Sequence, residues 1–279
     1  MNFTSIRYKQ ERMQDKIPEF FAKTAQEEST QFYGAWDDDG IYILLMLTAG
    51  ADEHIKVIRH IFFSEDAHKR LFADLMEYVE QVCRKKNIER LLVELVGDIE
   101  RLDRGKEWLF DSGYELDASD NIYMVYELDM MRKTTFFEKI SQAKALLDNV
   151  YFYNQLTKDQ LLDFSYRMKK LKRDTKYIMP DLVFGCYYLD KDEIKGFIDV
   201  AEVEEGVLEL KDAYLDIDKH SQYAFPAMLA KSLVTTTVFL SEGTIIRMKL
   251  NQSNLYNGVK TAFGDAYYEG NIYEYSKDL

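Results

Sequence analysis

The sequence predicts an α/β chain in which one domain plan is written twice. Three observations predict it. Each half alternates β-like apolar runs with amphipathic helical patterns, in the same order. Asp66-Ala67-His68 opens a helical pattern after a β-like run, and Asp218-Lys219-His220 does the same later in the chain. Asn121-Ile122-Tyr123 returns as Asn271-Ile272-Tyr273, and a recurrence about 150 residues apart is too long for a solenoid and fits two copies of one domain. A chain of 279 residues accommodates two domains of ordinary size, each able to bury a core.

The first half opens on a helical stretch from about Glu11 to Glu28, where Ile17, Phe20, Phe21 and Ala25 recur at helical spacing. Three strands follow. Phe32–Trp36 leads into Asp37-Asp38-Asp39-Gly40, and Asp-Gly is a strong hairpin signal; the triplet lacks the rest of a calcium loop. Ile41–Leu47 comes next, and a turn through Gly50–Glu53 leads into Ile55–Phe63. A helix from about Ala67 to Lys86 carries Leu71, Leu75, Val79 and Val82 on one face, with Asp66 as its expected N-cap. Leu91–Val96 is apolar enough for a central strand. A shorter helix, Asp103–Asp111, stops at Ser112-Gly113, where glycine suits a C-cap. Tyr114–Leu116 and Ile122–Leu128 are expected to close the half as a hairpin.

The second half repeats the plan. Helices are expected over about Phe136–Leu147 and Lys158–Leu171, then strands Leu182–Leu189, Glu193–Glu202 and Val207–Leu215. A helix over Ser221–Leu240, a strand over Thr244–Leu250, a helix over Leu255–Phe263 and a hairpin through Ile272–Tyr275 complete it. No Pro/Gly-rich linker separates the halves. The seam is placed near Met130–Thr135, giving domains over residues 1–131 and 132–279, and the missing spacer suggests that the two pack together.

Composition excludes several classes of protein. Apolar residues make up 47% and charged residues 30%, with 20 Tyr and 17 Phe, which is far from the composition of a disordered chain. The net charge of −13 repels polyanions, so nucleic acid is not an expected partner. No apolar run reaches membrane-spanning length, and the N-terminus lacks a signal peptide's apolar core. Cys83 and Cys186 stand far apart with no Cys-x-x-Cys spacing, which points to a reducing, cytoplasmic compartment with both thiols as small core residues.

Helices, three antiparallel strands, a long helix, a strand, a shorter helix ending in aromatic-x-x-Gly-aromatic, and a closing hairpin: this order resembles the GNAT acyltransferase fold, once per half and over almost the whole chain. The best local match is Trp108-Leu109-Phe110-Asp111-Ser112-Gly113-Tyr114, which is similar to the family's fourth-helix ending. The resemblance implies a mixed α+β sheet in each of two tandem domains. It also implies an acyl-CoA-dependent N-acyltransferase, with acetyl-CoA or another acyl-CoA as donor and a small-molecule or protein amine as acceptor. In that family the thioester lies in a splay between the fourth and fifth strands. Its pyrophosphate rests on backbone N–H groups of a glycine-rich loop that opens the long helix. Here no glycine lies between Gly50 and Gly97, or between Gly206 and Gly243, so the phosphate loop is degenerate in both halves. The family's general-acid tyrosine, four residues before the Gly-aromatic glycine, falls on Leu109 and Lys260. The alternative reading is a catalytically inactive tandem GNAT-like protein kept for binding or regulation. A Fem-type aminoacyl transferase, also built of paired GNAT-like domains, would need transfer RNA, which the charge disfavours.

The candidate site residues follow from that order. Phe63, Ser64, His68, Lys69 and Arg70 in the first copy, and His220 and Ser221 in the second, lie at the strand-to-helix turn where a cofactor would sit. Lys69 and Arg70 could hold phosphate by charge instead of by backbone; a solvated cationic turn is the plain structural alternative. Glu94, inside the run Leu91–Val96, and His60 are the candidate catalytic bases, since a carboxylate in a central strand needs a partner or a raised pKa, and histidine suits proton transfer. Asp212 matches His60 in the second copy, and Ile246 is taken as the counterpart of Glu94. No metal is expected, because each half offers only two plausible ligands. Tyr123, Tyr126, Tyr267, Tyr268, Tyr273 and Tyr275 could line a pocket or a partner surface, or simply pack their strands.

Overall fold

The computed structural model describes residues 2–6, 13, 15–50, 52–97, 99–170, 184–216, 223–235, 243–250 and 253–279. The first strands are β1 (Asn2–Ile6), β2 (Gln31–Trp36), β3 (Ile41–Ala49), β4 (Ile55–Phe63) and β5 (Arg90–Gly97), with helices α1 (Ala22–Gln26), α2 (Lys69–Lys85) and α3 (Ile99–Asp111). Strand β6 (Glu115–Glu127) is followed by α4 (Leu128–Arg132), α5 (Thr135–Gln142), α6 (Lys144–Leu147), β7 (Val150–Phe152) and α7 (Lys158–Lys170). Then come β8 (Cys186–Asp190), β9 (Glu193–Glu204), β10 (Val207–Leu215), α8 (Ala224–Thr235), β11 (Ile245–Leu250), α9 (Ser253–Phe263) and β12 (Tyr268–Asp278).

The chain divides into two compact units, Met1–Asn121 with Gly270–Leu279, and Ile122–Glu269. In the first unit the strand order is β1-β2-β3-β4-β5-β12, and in the second it is β6-β11-β10-β9-β8-β7. Both sheets are mixed in the same way. The β4/β5 and β10/β11 pairs are parallel, and their other neighbours within each unit are antiparallel. A parallel pair needs a crossover. Helices α2 and α8 occupy that place in the two units, and α3 and α9 follow the second strand of each pair.

Hydrophobic alternation decides which face each sheet buries. In the first unit Ile58, Ile61, Leu91, Val93 and Leu95 join Leu71, Leu75, Val79 and Leu109 of the helices in one core. In the second, Leu208, Leu210, Ala213, Ile246 and Met248 join Met228, Leu233 and Val259. A smaller core forms where α7 lays Phe164 and Met168 on Tyr187 and Phe197.

Several expectations are corrected. The units are not simply the sequential halves at residues 1–131 and 132–279, because the C-terminal strand returns to the first unit. Neither expected closing hairpin forms: Glu115–Glu127 and Tyr268–Asp278 are each one continuous strand. The polar run Asp117–Asn121 looked like a turn in the sequence, yet it stays extended. The helix expected over Glu11–Glu28 begins outside the described residues. Within them Met13 is helical, and beyond Pro18, which is extended at ψ 142°, a single turn at Glu19–Phe21 and α1 follow, since the proline ring cannot continue a helix. The helix expected over Phe136–Leu147 breaks at Ala143, where ψ is 74°. Strands β1 and β7 had no clear sequence signal.

Candidate functional site

Each unit carries a gap between its two parallel strands. Strands β4 and β5 pair only from Ile55/Arg90 to Ile58/Val93, although β4 continues to Phe63 and β5 to Gly97. Strands β10 and β11 likewise pair only from Val207/Ile245 to Leu210/Met248. In both units a bulge lies just past the last paired residue. Met46 faces His60 and Leu47 faces Ile58, so Arg59 is the extra residue of β4. Leu210 faces Val200 and Asp212 faces Asp199, so Lys211 is the extra residue of β10. A bulge bends its strand and re-aims the next side chains. The matching register pairs Arg59 with Lys211, His60 with Asp212 and Glu94 with Lys249. Ile246 is therefore not the counterpart of Glu94: it packs into the helix-side core, whereas Glu94 follows Val93 onto the opposite face.

Glu94 and His60 are both satisfied by the protein itself. Arg59 Nη1 donates to both Glu94 carboxylate oxygens, at 2.6 and 2.7 Å, from one parallel strand to the other across the gap. The Glu94 side chain is 10% exposed and that of Arg59 21%. In the β5/β12 ladder Glu274 stands directly opposite Glu94, so the guanidinium also offsets a like-charge pair. His60 is buried, with Nε2 2.8 Å from the Lys16 carbonyl and its ring against Phe21. Asp212 occupies the corresponding place in the second unit, and its carboxylate accepts the Ala213 backbone N–H at 2.7 Å.

The first strand-to-helix turn is packed and internally capped. Phe63 sits edge-on to Trp108 and tilted to Phe72, which closes the end of β4. Ser64 donates its N–H to the Tyr42 carbonyl, and its own carbonyl accepts Arg104 Nη1. The Ser64 hydroxyl is buried and meets no hydrogen-bond partner among the described residues. The N-cap of α2 is His68, not Asp66: Nδ1 of its extended residue accepts the Leu71 N–H at 3.2 Å. A bulky ring thus takes one of the N–H groups that would face an anion. Glu65 and Asp66, both exposed, add negative charge beside the helix N-terminus. Lys69 Nζ turns to Asp111 and Glu107 on α3, and those hydrogen bonds raise its pKa, the Asp111 bond most. Arg70 is exposed. His220 and Ser221, with the rest of the second turn, lie outside the described residues.

The positions matching the family's acid tyrosine are occupied differently in each unit. Leu109 is fully buried in the first core. Lys260 donates to Glu269 Oε2 at 3.0 Å and to the Tyr256 hydroxyl at 3.1 Å, and Tyr256 donates to Glu269 Oε1 at 2.7 Å. Its bond to Glu269 pushes the Lys260 pKa upward, and the Tyr256 bond, opposed by partial burial, pulls Glu269 down. The Tyr126 phenol is raised to about 12, chiefly by burial. Burial also lifts the Cys83 thiol to about 11 and Cys186 still further. Among the described residues no group of three or more His, Cys, Asp or Glu could hold a metal ion, and no helix is long and apolar enough to cross a membrane.

Sequence reasoning missed Arg59, the partner that decides the state of Glu94. The signal was present. Val57-Ile58-Arg59-His60-Ile61 and Leu208-Glu209-Leu210-Lys211-Asp212-Ala213 each put two polar residues together where a strand should alternate, and that phase slip marks a bulge.

The element order, the lone parallel pair and the bulged, gapped strand recur in both units, which share one α/β plan in tandem. No protein-family model matches the chain, and no curated protein is significantly similar to it. Among solved structures, the chain is similar to a tandem GNAT protein from the clavulanic acid biosynthesis pathway, at 10% identity and a TM-score of 0.45 over 99% of this chain and 98% of that one. It is also similar to a glucosamine N-acetyltransferase region within a fungal multi-domain β-N-acetylglucosaminidase, at 9% identity and a TM-score of 0.49. There the match covers 98% of this chain and 38% of that one. A probable acetyltransferase from Staphylococcus epidermidis matches 43% of this chain over 86% of its own, at 15% identity and a TM-score of 0.34.

Proposed function

We propose that the chain is an acyl-CoA-dependent N-acyltransferase of GNAT type that works through its second unit, the first being a closed companion. The observation that carries this reading is the contrast at the two strand gaps. In the first, a short ion pair joins β4 to β5 where an extended thioester arm would have to pass. In the second, the register places Lys211 and Lys249 at those positions, and two cations cannot form the strand-to-strand ion pair that spans the first gap. Asp212, one residue past the bulge, is chemically suited to take a proton from an attacking amine. The amine nitrogen would then bond to the thioester carbonyl carbon, and the carbon–sulfur bond would break as the thiolate leaves and takes a proton from water. An acidic surface favours a basic acceptor, whether a small amine or a protein amine.

Calorimetric titration of the full chain with acetyl-CoA and CoA tests this. One site per chain is expected, and Lys249→Glu, which restores a carboxylate across from Lys211, should weaken binding at least about tenfold. Neither heat nor a thermal shift with either ligand would remove the reading. The second reading, a non-catalytic tandem protein, is favoured by the His68 cap, the apolar Leu109 and the paired Lys260. CoA retained by the purified protein would count against it.

A further inference from the structure

The first unit buries an acid whose counter-ion comes from the other end of the chain. Glu80, on α2, is 4% exposed. Lys277 Nζ, on the last strand, donates to Glu80 Oε1 at 2.8 Å and to the Ser112 carbonyl at 2.8 Å, and lies over the Tyr114 ring. Arg84 also reaches Glu80, with Nη2 3.4 Å away and a side chain 47% exposed. The same strand carries Tyr275 into the first core and accepts Arg90 Nη2 on Ser276 Oγ at 2.8 Å, and Leu279 just beyond it donates its N–H to the Glu89 carbonyl. It runs antiparallel to β5 from Asn271/Gly97 to Asp278/Arg90. Without this strand, β5 would present an unpaired edge and Glu80 a buried charge lacking its nearest cation. Both are costly.

We propose that the first unit contains a strand-acceptor site, made of the β5 edge, Glu80 and the Ser112 carbonyl, which selects the chain's own C-terminal strand through Lys277. The ladder supplies sequence-independent pairing, and the buried ion pair supplies register and identity, because a slip of one residue would turn Lys277 away from Glu80. The strand then holds by non-covalent contacts alone, and the peptide link back to α9 is dispensable once the unit has closed. This inference does not depend on the acyltransferase reading.

The test uses the full chain with a protease site inserted in the turn at Asp265–Tyr267, where Gly264 already takes a positive φ of 75°. After folding and cleavage, the strand is expected to co-elute with the body of the protein on gel filtration. Lys277→Gln should raise its dissociation rate about a hundredfold or more. The neutral pair Glu80→Gln with Lys277→Gln should recover part of that loss, which a simple packing defect would not show. Immediate loss of the strand from the cleaved parent overturns the proposal. So does equal retention by the parent and the Lys277→Gln protein, or a double variant no better than the single one.

Discussion

Glu94 shows how one neighbour converts a candidate base into a structural strut. A carboxylate in a central strand has two fates, titration or pairing, and the Arg59 guanidinium on the adjacent strand decides for pairing. Removing one partner of such a pair leaves the other charge poorly solvated. Glu94→Gln is expected to cost about 3 kcal/mol in chemical denaturation, with Arg59→Met/Glu94→Leu much less damaging than either single change. A loss under about 1 kcal/mol for the single variant would show that the pair is no strut. Glu269 offers a smaller, pH-dependent effect. Its folded pKa is depressed by the Tyr256 hydroxyl and Lys260, so its contribution is present above the unfolded carboxylate range and is lost as pH falls through the lower, folded value. Its side chain is 33% exposed and that of Lys260 40%. Glu269→Gln should therefore lower stability by only about 0.5 kcal/mol near neutrality, with parent and variant converging in acid below the carboxylate range; urea titrations at both pH values would show it.

At the scale of elements, alternation and helical spacing made β2–β5, β9–β11, α2 and α9 legible, because each buries a regular apolar stripe. What stayed hidden were features set by contacts distant in sequence. The polar stretch at Asp117–Asn121 has the composition of a turn, yet it runs extended within β6, where Asp117 accepts a hydrogen bond from the sequence-distant Arg90. The N-cap of α2 shows the local version of the problem. Asp66 is the better capping type, yet the chain caps with His68, whose side chain sits at the right distance from Leu71. His68→Ala is expected to cost about 1 kcal/mol and His68→Asn nearly nothing, read by thermal unfolding. Equal effects of both would mean that the ring acts by packing. The candidate site was legible in part. His60, Asp212 and Glu94 were found as residues, but their environments rest on the paired bulges and on Arg59.

For the molecule as a whole, the repeat of Asn121-Ile122-Tyr123 at Asn271 reports two equivalent strands, but no periodicity says which unit each one serves. Only the ladders do: β12 pairs with β5, and β6 pairs with β11. Each unit therefore takes its last strand from the other half of the chain, so neither half contains a complete unit. Strand order is the same in both units, while the register-matched residues at the gaps diverge, Arg59 and Glu94 in one and Lys211 and Lys249 in the other. Hydrogen exchange on the full chain, with and without acetyl-CoA, tests this divergence most directly. Slowed exchange is predicted in peptides covering Val207–Leu215 and Ile245–Leu250, with Ile55–Phe63 and Arg90–Gly97 unchanged. Protection of the first unit's strands instead would contradict the closed first unit proposed from the Arg59–Glu94 pair.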